Sequence, residues 1–139
     1  MALTWVRERA AVWDADKQRI VGDAPVGVFD ARYRELPAGA PVPGEWWHVE
    51  DAGKVVGFGW LEVVWGDAEV LFAVEPTARE KGVGKFVVEK LGAEARSRGL
   101  RYMYNTVRPT HPERDRLAAW LAKRGFKAMD DGSLRAFLK

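Results

Sequence analysis

The 139-residue chain contains no cysteine. Disulfides, thiolate metal sites and cysteine nucleophiles are therefore excluded. Long apolar runs are missing too, so no stretch is long enough to span a bilayer as a helix. The start, Met1-Ala2-Leu3-Thr4-Trp5-Val6-Arg7-Glu8-Arg9, has no apolar signal core and brings charge at once, which predicts a cytoplasmic protein without a membrane partner. Neither sign of charge dominates: the formal net charge is +2, the sequence pI is about 9.0, and the signs are interleaved. A local excess could favour an anionic ligand, but this is not the basic stripe of a dedicated nucleic-acid binder, and nucleic acid is not an expected partner. Repeats and low-complexity tracts are also absent.

What is present is globular. Hydrophobic residues make up 47% and charged residues 30%, proportions that allow one core to be buried without staples and predict a single domain over 1–139. The seven tryptophans read first as packing residues. One segment, Pro37-Ala38-Gly39-Ala40-Pro41-Val42-Pro43-Gly44, holds three prolines and two glycines and cannot continue a helix or a central strand. Before it, Thr4–Arg9 reads as a strand and Ala10–Val21 as a helix, while 26–36 suits either element. After it, strands are predicted at Trp46–Glu50, Lys54–Trp65 and Ala68–Val74, joined by turns at Asp51-Ala52-Gly53 and Gly66-Asp67. A helix follows over Gly82–Arg98 with Gly99 as its stop. Then come a strand at Arg101–Val107 and a helix around Leu117, Trp120 and Leu121, started by a Thr110/Glu113 capping box and ended at Gly125. Two last strands, Phe126–Met129 and Leu134–Leu138, flank Asp130-Asp131-Gly132-Ser133. The pattern predicts an α/β (α+β) fold: a mixed, largely antiparallel central sheet of about six to seven strands with helices on both faces.

The stretch that carries chemistry is Ala73-Val74-Glu75-Pro76-Thr77-Ala78-Arg79-Glu80-Lys81-Gly82-Val83-Gly84-Lys85. An apolar strand ends at Val74, and Pro76 stops the ladder. A loop with Gly82 and Gly84 then opens an amphipathic helix. Unpaired amides and the helix dipole at such a start suit a phosphate or pyrophosphate, and glycine lets the anion come close. Arg79, Lys81 and Lys85 add positive charge. A Walker loop would need Ser or Thr after Gly84-Lys85, where Phe86 stands, and a dinucleotide fingerprint would need glycine at Val87. No hydroxyl is placed to hold magnesium, so the expected ligand is a metal-free pyrophosphate.

Arg79-x-x-Gly82-x-Gly84 after Ala73-Val74-x-Pro76 resembles the pyrophosphate motif of the GNAT N-acetyltransferase superfamily. Gly57 on the preceding hairpin and the Leu117–Phe126 stretch, ending Lys123-Arg124-Gly125-Phe126, are similar as well. The resemblance covers roughly Trp46–Phe126. It implies a GNAT-like domain that uses acetyl-CoA or another acyl-CoA as cosubstrate, without metal, and transfers the acyl group to an amine of a small molecule or protein. A non-catalytic acyl-CoA-binding or regulatory domain is the alternative, and a homodimer is left open. Phe72 and Val74 are implied on the cofactor strand, the Val74 backbone pairing with the pantetheine arm. Arg79, Glu80, Lys81, Gly82, Val83, Gly84 and Lys85 form the implied pyrophosphate loop.

The catalytic pattern departs from the family. The tyrosine that serves many members as general acid is replaced by Leu121, and the helix-start asparagine falls at Arg114 or His111. The positions that often carry a base are Ala68 and Val70. Glu69, between them, points to the opposite face. A two-residue turn at Gly66-Asp67 would pair Trp65 with Ala68. Glu62 and Glu69 then share one face, and Ala68, Val70 and Phe72 the other. By resemblance the acceptor belongs on the second face, so Glu69 is expected to matter only if a bulge intervenes. Glu69, His111 and Tyr104 are the candidate catalytic residues.

Overall fold

A computed structural model of the protein describes residues 2–79 and 81–138. Its strands are β1 (Leu3–Glu8), β2 (Glu45–Asp51), β3 (Lys54–Val64), β4 (Asp67–Val74), β5 (Tyr102–Asn105), β6 (Lys127–Ala128) and β7 (Leu134–Phe137). They form one seven-stranded sheet in the order β1-β2-β3-β4-β5-β7-β6. All neighbours are antiparallel except β4 and β5. The helices are α1 (Ala15–Lys17), which runs on into a π-helical turn at Gln18–Gly22, α2 (Val83–Ser97) and α3 (Arg114–Ala122).

Two apolar clusters sandwich the sheet. On one face Val49, Leu61, Ala68 and Val70 meet Val83, Val87 and Leu91 of α2, together with Leu121 of α3. Gly57 and Gly59 let α2 lie close, because a Cβ there would stand 3.0 Å from Val83 and 3.1 Å from Val87 respectively. On the other face Trp46, Phe58, Trp60 and Ala73 are covered by Trp13, Ile20, Val21 and Tyr33 from the N-terminal third. This second cover rests on a buried cation. Lys17 is 0% exposed, its Nζ donates to Glu8 Oε1 at 2.5 Å and to Asp14 Oδ2 at 3.2 Å, and it lies over the rings of Trp46 and Phe58. Glu8 also bonds His48, which bonds Glu50, so the buried charge is compensated on every side.

Three local expectations are corrected. The helix predicted from Ala10 starts only after Asp14, whose carboxylate accepts from Lys17 N–H at 2.8 Å. Residues 11–13 pair instead with the proline-rich loop, through Trp13 N–H to Ala40 O, Gly39 N–H to Trp13 O and Val42 N–H to Ala11 O. The β3–β4 turn is Trp65-Gly66, with φ of 51° and 81°, not Gly66-Asp67. Asp67 is drawn into the strand by Arg135 at 3.4 Å and Arg101 at 3.6 Å. The Thr110/Glu113 capping box does not form. Thr110 donates its hydroxyl to Gly27 O, and His111 Nδ1 accepts the Glu113 N–H. The ambiguous 26–36 segment settles as a 3-10 turn at Ala31–Arg34.

Leu121, where the family's tyrosine is missing, is fully buried in the α2-side core. Leu121→Ala is expected to cost about 2–5 kcal/mol of stability, measured by denaturant unfolding. A large loss of turnover at unchanged stability would contradict its packing role.

Candidate active site

The site begins where β4 and β5 part. The two strands pair only at Ala68/Met103 and Glu69/Tyr104, and β5 ends one residue later. Asn105, buried, ties the apex by donating its side-chain amide to Val70 O at 2.8 Å. Beyond that point β4 continues through Leu71–Val74 with β3 on one side and an open edge on the other. Glu75 N–H donates to Val56 O at 2.8 Å. Because hydrogen-bonded pairs alternate along an antiparallel ladder, Ala73 and Leu71 also face β3. The backbone groups of Phe72 and Val74 therefore point to the open edge, where an extended ligand chain could bond to them.

The edge leads into the glycine loop. After a 3-10 turn at Pro76–Ala78, Gly82 caps α2 with φ 84° and no side-chain bond to its free amides. A Cβ at Gly84 would stand 3.4 Å from the Trp120 ring, so the space beside this amide is kept by the absence of a side chain. The first turn of α2 carries no acidic residue. Arg79, Gly82, Gly84 and Lys85 line a cavity of about 950 Å³ that also takes in Phe72, Val74 and Trp120. Val83 is buried in the core and has only its backbone to offer. Lys81 is exposed but does not line the cavity, and Glu80 lies outside the described residues. Glu75, buried behind the edge, bonds Arg19 of the π-helical turn and Lys54, which fixes the junction between strand and loop.

The sequence matches the Acetyltransferase (GNAT) family over residues 7–126. The chain belongs to the GNAT family. Solved GNAT structures share its fold. The ribosomal-protein alanine N-acetyltransferase of Escherichia coli is 17% identical, over 99% of this chain and 95% of that one, at TM-score 0.65. The IAA acetyltransferase of Bacillus cereus is 15% identical, over 99% and 100%, at 0.69. A Thermoplasma acidophilum PaiA N-acetyltransferase in complex with coenzyme A is 18% identical, over 65% and 57%, at 0.55. A search of curated protein sequences finds no match.

Within this GNAT scaffold the β3–β4 register runs unbroken from Gly57/Val74 to Val64/Asp67 and sets Glu62 directly opposite Glu69. The two faces are divided as predicted, but the cavity also opens on the face not expected to take the acceptor. Ala68 and Val70 are 0% and 1% exposed under α2, leaving no room for a substrate. The cavity opens on the face of Glu62, Glu69 and Leu71. No bulge is needed to turn Glu69 toward it. Burial, with the Glu62 charge second, holds the Glu69 carboxyl above its usual range.

His111 lines the same cavity. Its Nδ1 accepts the Glu113 N–H at 2.9 Å, so the neutral ring carries its hydrogen on Nε2 and has no lone pair left for a substrate proton. Burial lowers its pKa, Glu113 opposes this, and Arg79 adds to the lowering. Tyr104 sits beside Glu69 but does not line the cavity, and the Arg135 guanidinium covers its ring at 5.0 Å. Its phenol is pushed up by burial and then by Glu69, and stays protonated at neutral pH. Loss of a working base typically costs 10²–10⁴-fold, so His111→Ala and Tyr104→Phe should each lower kcat by less than about tenfold. Both should keep the acid limb of the wild-type pH–rate profile.

Sequence reasoning missed Asn105, Trp60 and Tyr33 as cavity residues. Asn105 had a readable signal, a lone amide closing an otherwise apolar and aromatic strand. Tyr33 lay in the unassigned 26–36 segment and is placed by its stack on Trp13, 5.8 Å between ring centres.

Proposed function

We propose that the protein is an acyl-CoA-dependent N-acyltransferase that moves an acetyl group from acetyl-CoA to the primary amine of a small molecule. The observation that carries this reading is the unpaired edge of β4 leading into the glycine loop of α2. The backbones of Phe72 and Val74 hold the pantetheine arm. The amides from Lys81 to Lys85, with the Arg79 and Lys85 charges, hold the pyrophosphate. Glu69 is the general base. The amine nitrogen attacks the thioester carbon, the new C–N bond replaces the C–S bond, the surplus nitrogen proton passes to Glu69, and sulfur leaves as thiolate. No general acid stands at Leu121, and a thiolate, the anion of a much stronger acid than an alcohol, leaves without one.

Calorimetry with CoA and thiol release with an amine panel test this reading in two steps. CoA binding followed by amine-dependent thiol release is the expected pair of results. Binding without release from any amine would favour the non-catalytic acyl-CoA module that Leu121 also allows. No binding would remove the cofactor assignment.

A further inference from the structure

We infer that the acceptor is a primary amine carried about two carbons from an aromatic ring, an arylalkylamine, rather than a diamine or a peptide N-terminus. This inference rests on the acyltransferase reading above and names the substrate class of the same cavity. On the Glu69 side the cavity wall includes Ile20, Phe29, Tyr33, Trp60 and Leu71, with the charged Asp30 and Arg32 between Phe29 and Tyr33 in the chain. The same Phe29, Tyr33, Trp60 and Leu71 close off a recess of only about 20 Å³ toward Trp46 and Phe58, room for a water and not for a ring, so they act as a solid wall. The wall is held in place. Tyr33 and Trp60 are each 8% exposed, Tyr33 stacks on Trp13, and the Trp60 indole donates to Pro43 O at 2.9 Å. A rigid apolar and aromatic wall in the 950 Å³ cavity favours a planar ring lying flat against it.

The charged end is fixed by the strand repeat. Trp60 faces Leu71, and Glu62 faces Glu69, two residues further along the same ladder. That step is roughly 7 Å in an antiparallel strand. A molecule with its ring against Trp60 and Leu71 therefore brings an amine two carbons away to the two carboxylates. Neither Glu62 nor Glu69 has an ion-pair partner among the described residues. Their charge is left to complement the ammonium group as the amine arrives; that proton is lost to solvent before attack, and Glu69 takes the second proton once the C–N bond forms. A diamine brings no ring to cover the apolar wall.

The test uses the full chain with acetyl-CoA and compares phenethylamine, butylamine, putrescine and an alanine-initiated peptide by thiol release, with CoA affinity measured in parallel. Phenethylamine should exceed each of the others in kcat/KM by roughly tenfold or more, the usual worth of an added apolar group in a fitted pocket. Phe29→Ala should reduce that preference while CoA affinity stays unchanged. Preference for putrescine or the peptide, parity of phenethylamine with butylamine, or no turnover of any amine by a CoA-bound protein would each overturn the inference. So would a Phe29→Ala variant whose changed selectivity concerns acyl-chain length, because the Phe29 wall would then face the acyl tail. Failure to bind CoA would strike the cofactor reading itself, and the parallel affinity measurement tells that case apart.

Discussion

Glu69→Gln is expected to lower kcat/KM by roughly 10²–10³-fold, within the usual range for loss of a general base. CoA affinity should not move, because the carboxylate shares the Glu62 face of the cavity and precedes the open edge of β4. The pH dependence gives a sharper test. Burial first, and Glu62 second, raise the Glu69 pKa above the ordinary carboxylate value. The base is active only as the carboxylate, so the wild-type rate should fall as pH drops through that raised pKa, and the glutamine variant should lack this limb. Stability runs the other way. A carboxyl whose folded pKa is raised contributes most stability when protonated, below its unfolded pKa, and loses that contribution as pH rises through the folded pKa. At neutral pH the variant should therefore melt slightly above the wild type, and the difference should close in acid. Thermal melts at pH 4 and pH 7.5 read this out. Full activity in Glu69→Gln, with a rate that simply follows the ionisation of the amine, would mean that the acceptor reaches the site already neutral and needs no base.

Gly84→Asp should abolish detectable CoA binding while the fold survives. The Cβ would enter at 3.4 Å from Trp120 and 3.8 Å from Val74, contacts that the half-exposed loop can absorb. The carboxylate, however, would occupy the space left beside the first-turn amides and repel the incoming pyrophosphate. Loss of roughly 100-fold in affinity, about 2.7 kcal/mol, is the minimum expected in calorimetry, with an unchanged circular dichroism spectrum as the control. An unaltered affinity would remove the pyrophosphate assignment from this loop. Gly84→Ala is the milder companion, since it adds the methyl contact without the charge and should weaken binding far less.

The strand, loop and helix start proposed for the cofactor were legible as structure because their signals are local. A strand, a proline, two glycines and an amphipathic helix follow one another within a short stretch, and the conformation each one favours is the conformation found from Val74 to Arg79 and from Gly82 into α2. The acceptor half was not legible, because it is assembled from distant segments. Alternation along β4 correctly separated Glu69 from Ala68 and Val70, yet nothing local says which face a helix will close. That choice is made by α2, which lies over Gly57 and Gly59, and by the N-terminal cover, which stops short of Glu62 and Glu69. The predicted helix from Ala10 failed for a related reason. Its first turn offered apolar spacing, but the backbone of Ala11 and Trp13 found partners in a proline-rich loop some thirty residues on.

Lys17 gives this fold an internal gauge of its own opening. A protein that works beside thioesters exposes its own amines to stray acylation, and Lys81 and Lys85 stand in solvent near the glycine loop. Both stand open to an amine-directed reagent in the folded protein. The Lys17 amine is sealed beneath two aromatic rings and held by two carboxylates. A reagent can reach it only when the N-terminal cover lifts from the sheet, so its labelling rate by peptide mass spectrometry counts those excursions. Once acylated, the side chain loses the charge that Glu8 and Asp14 compensate and no longer fits its seat. Each such event would trap the cover in its lifted state, and ageing of the protein in acetyl-CoA would be recorded at a single residue.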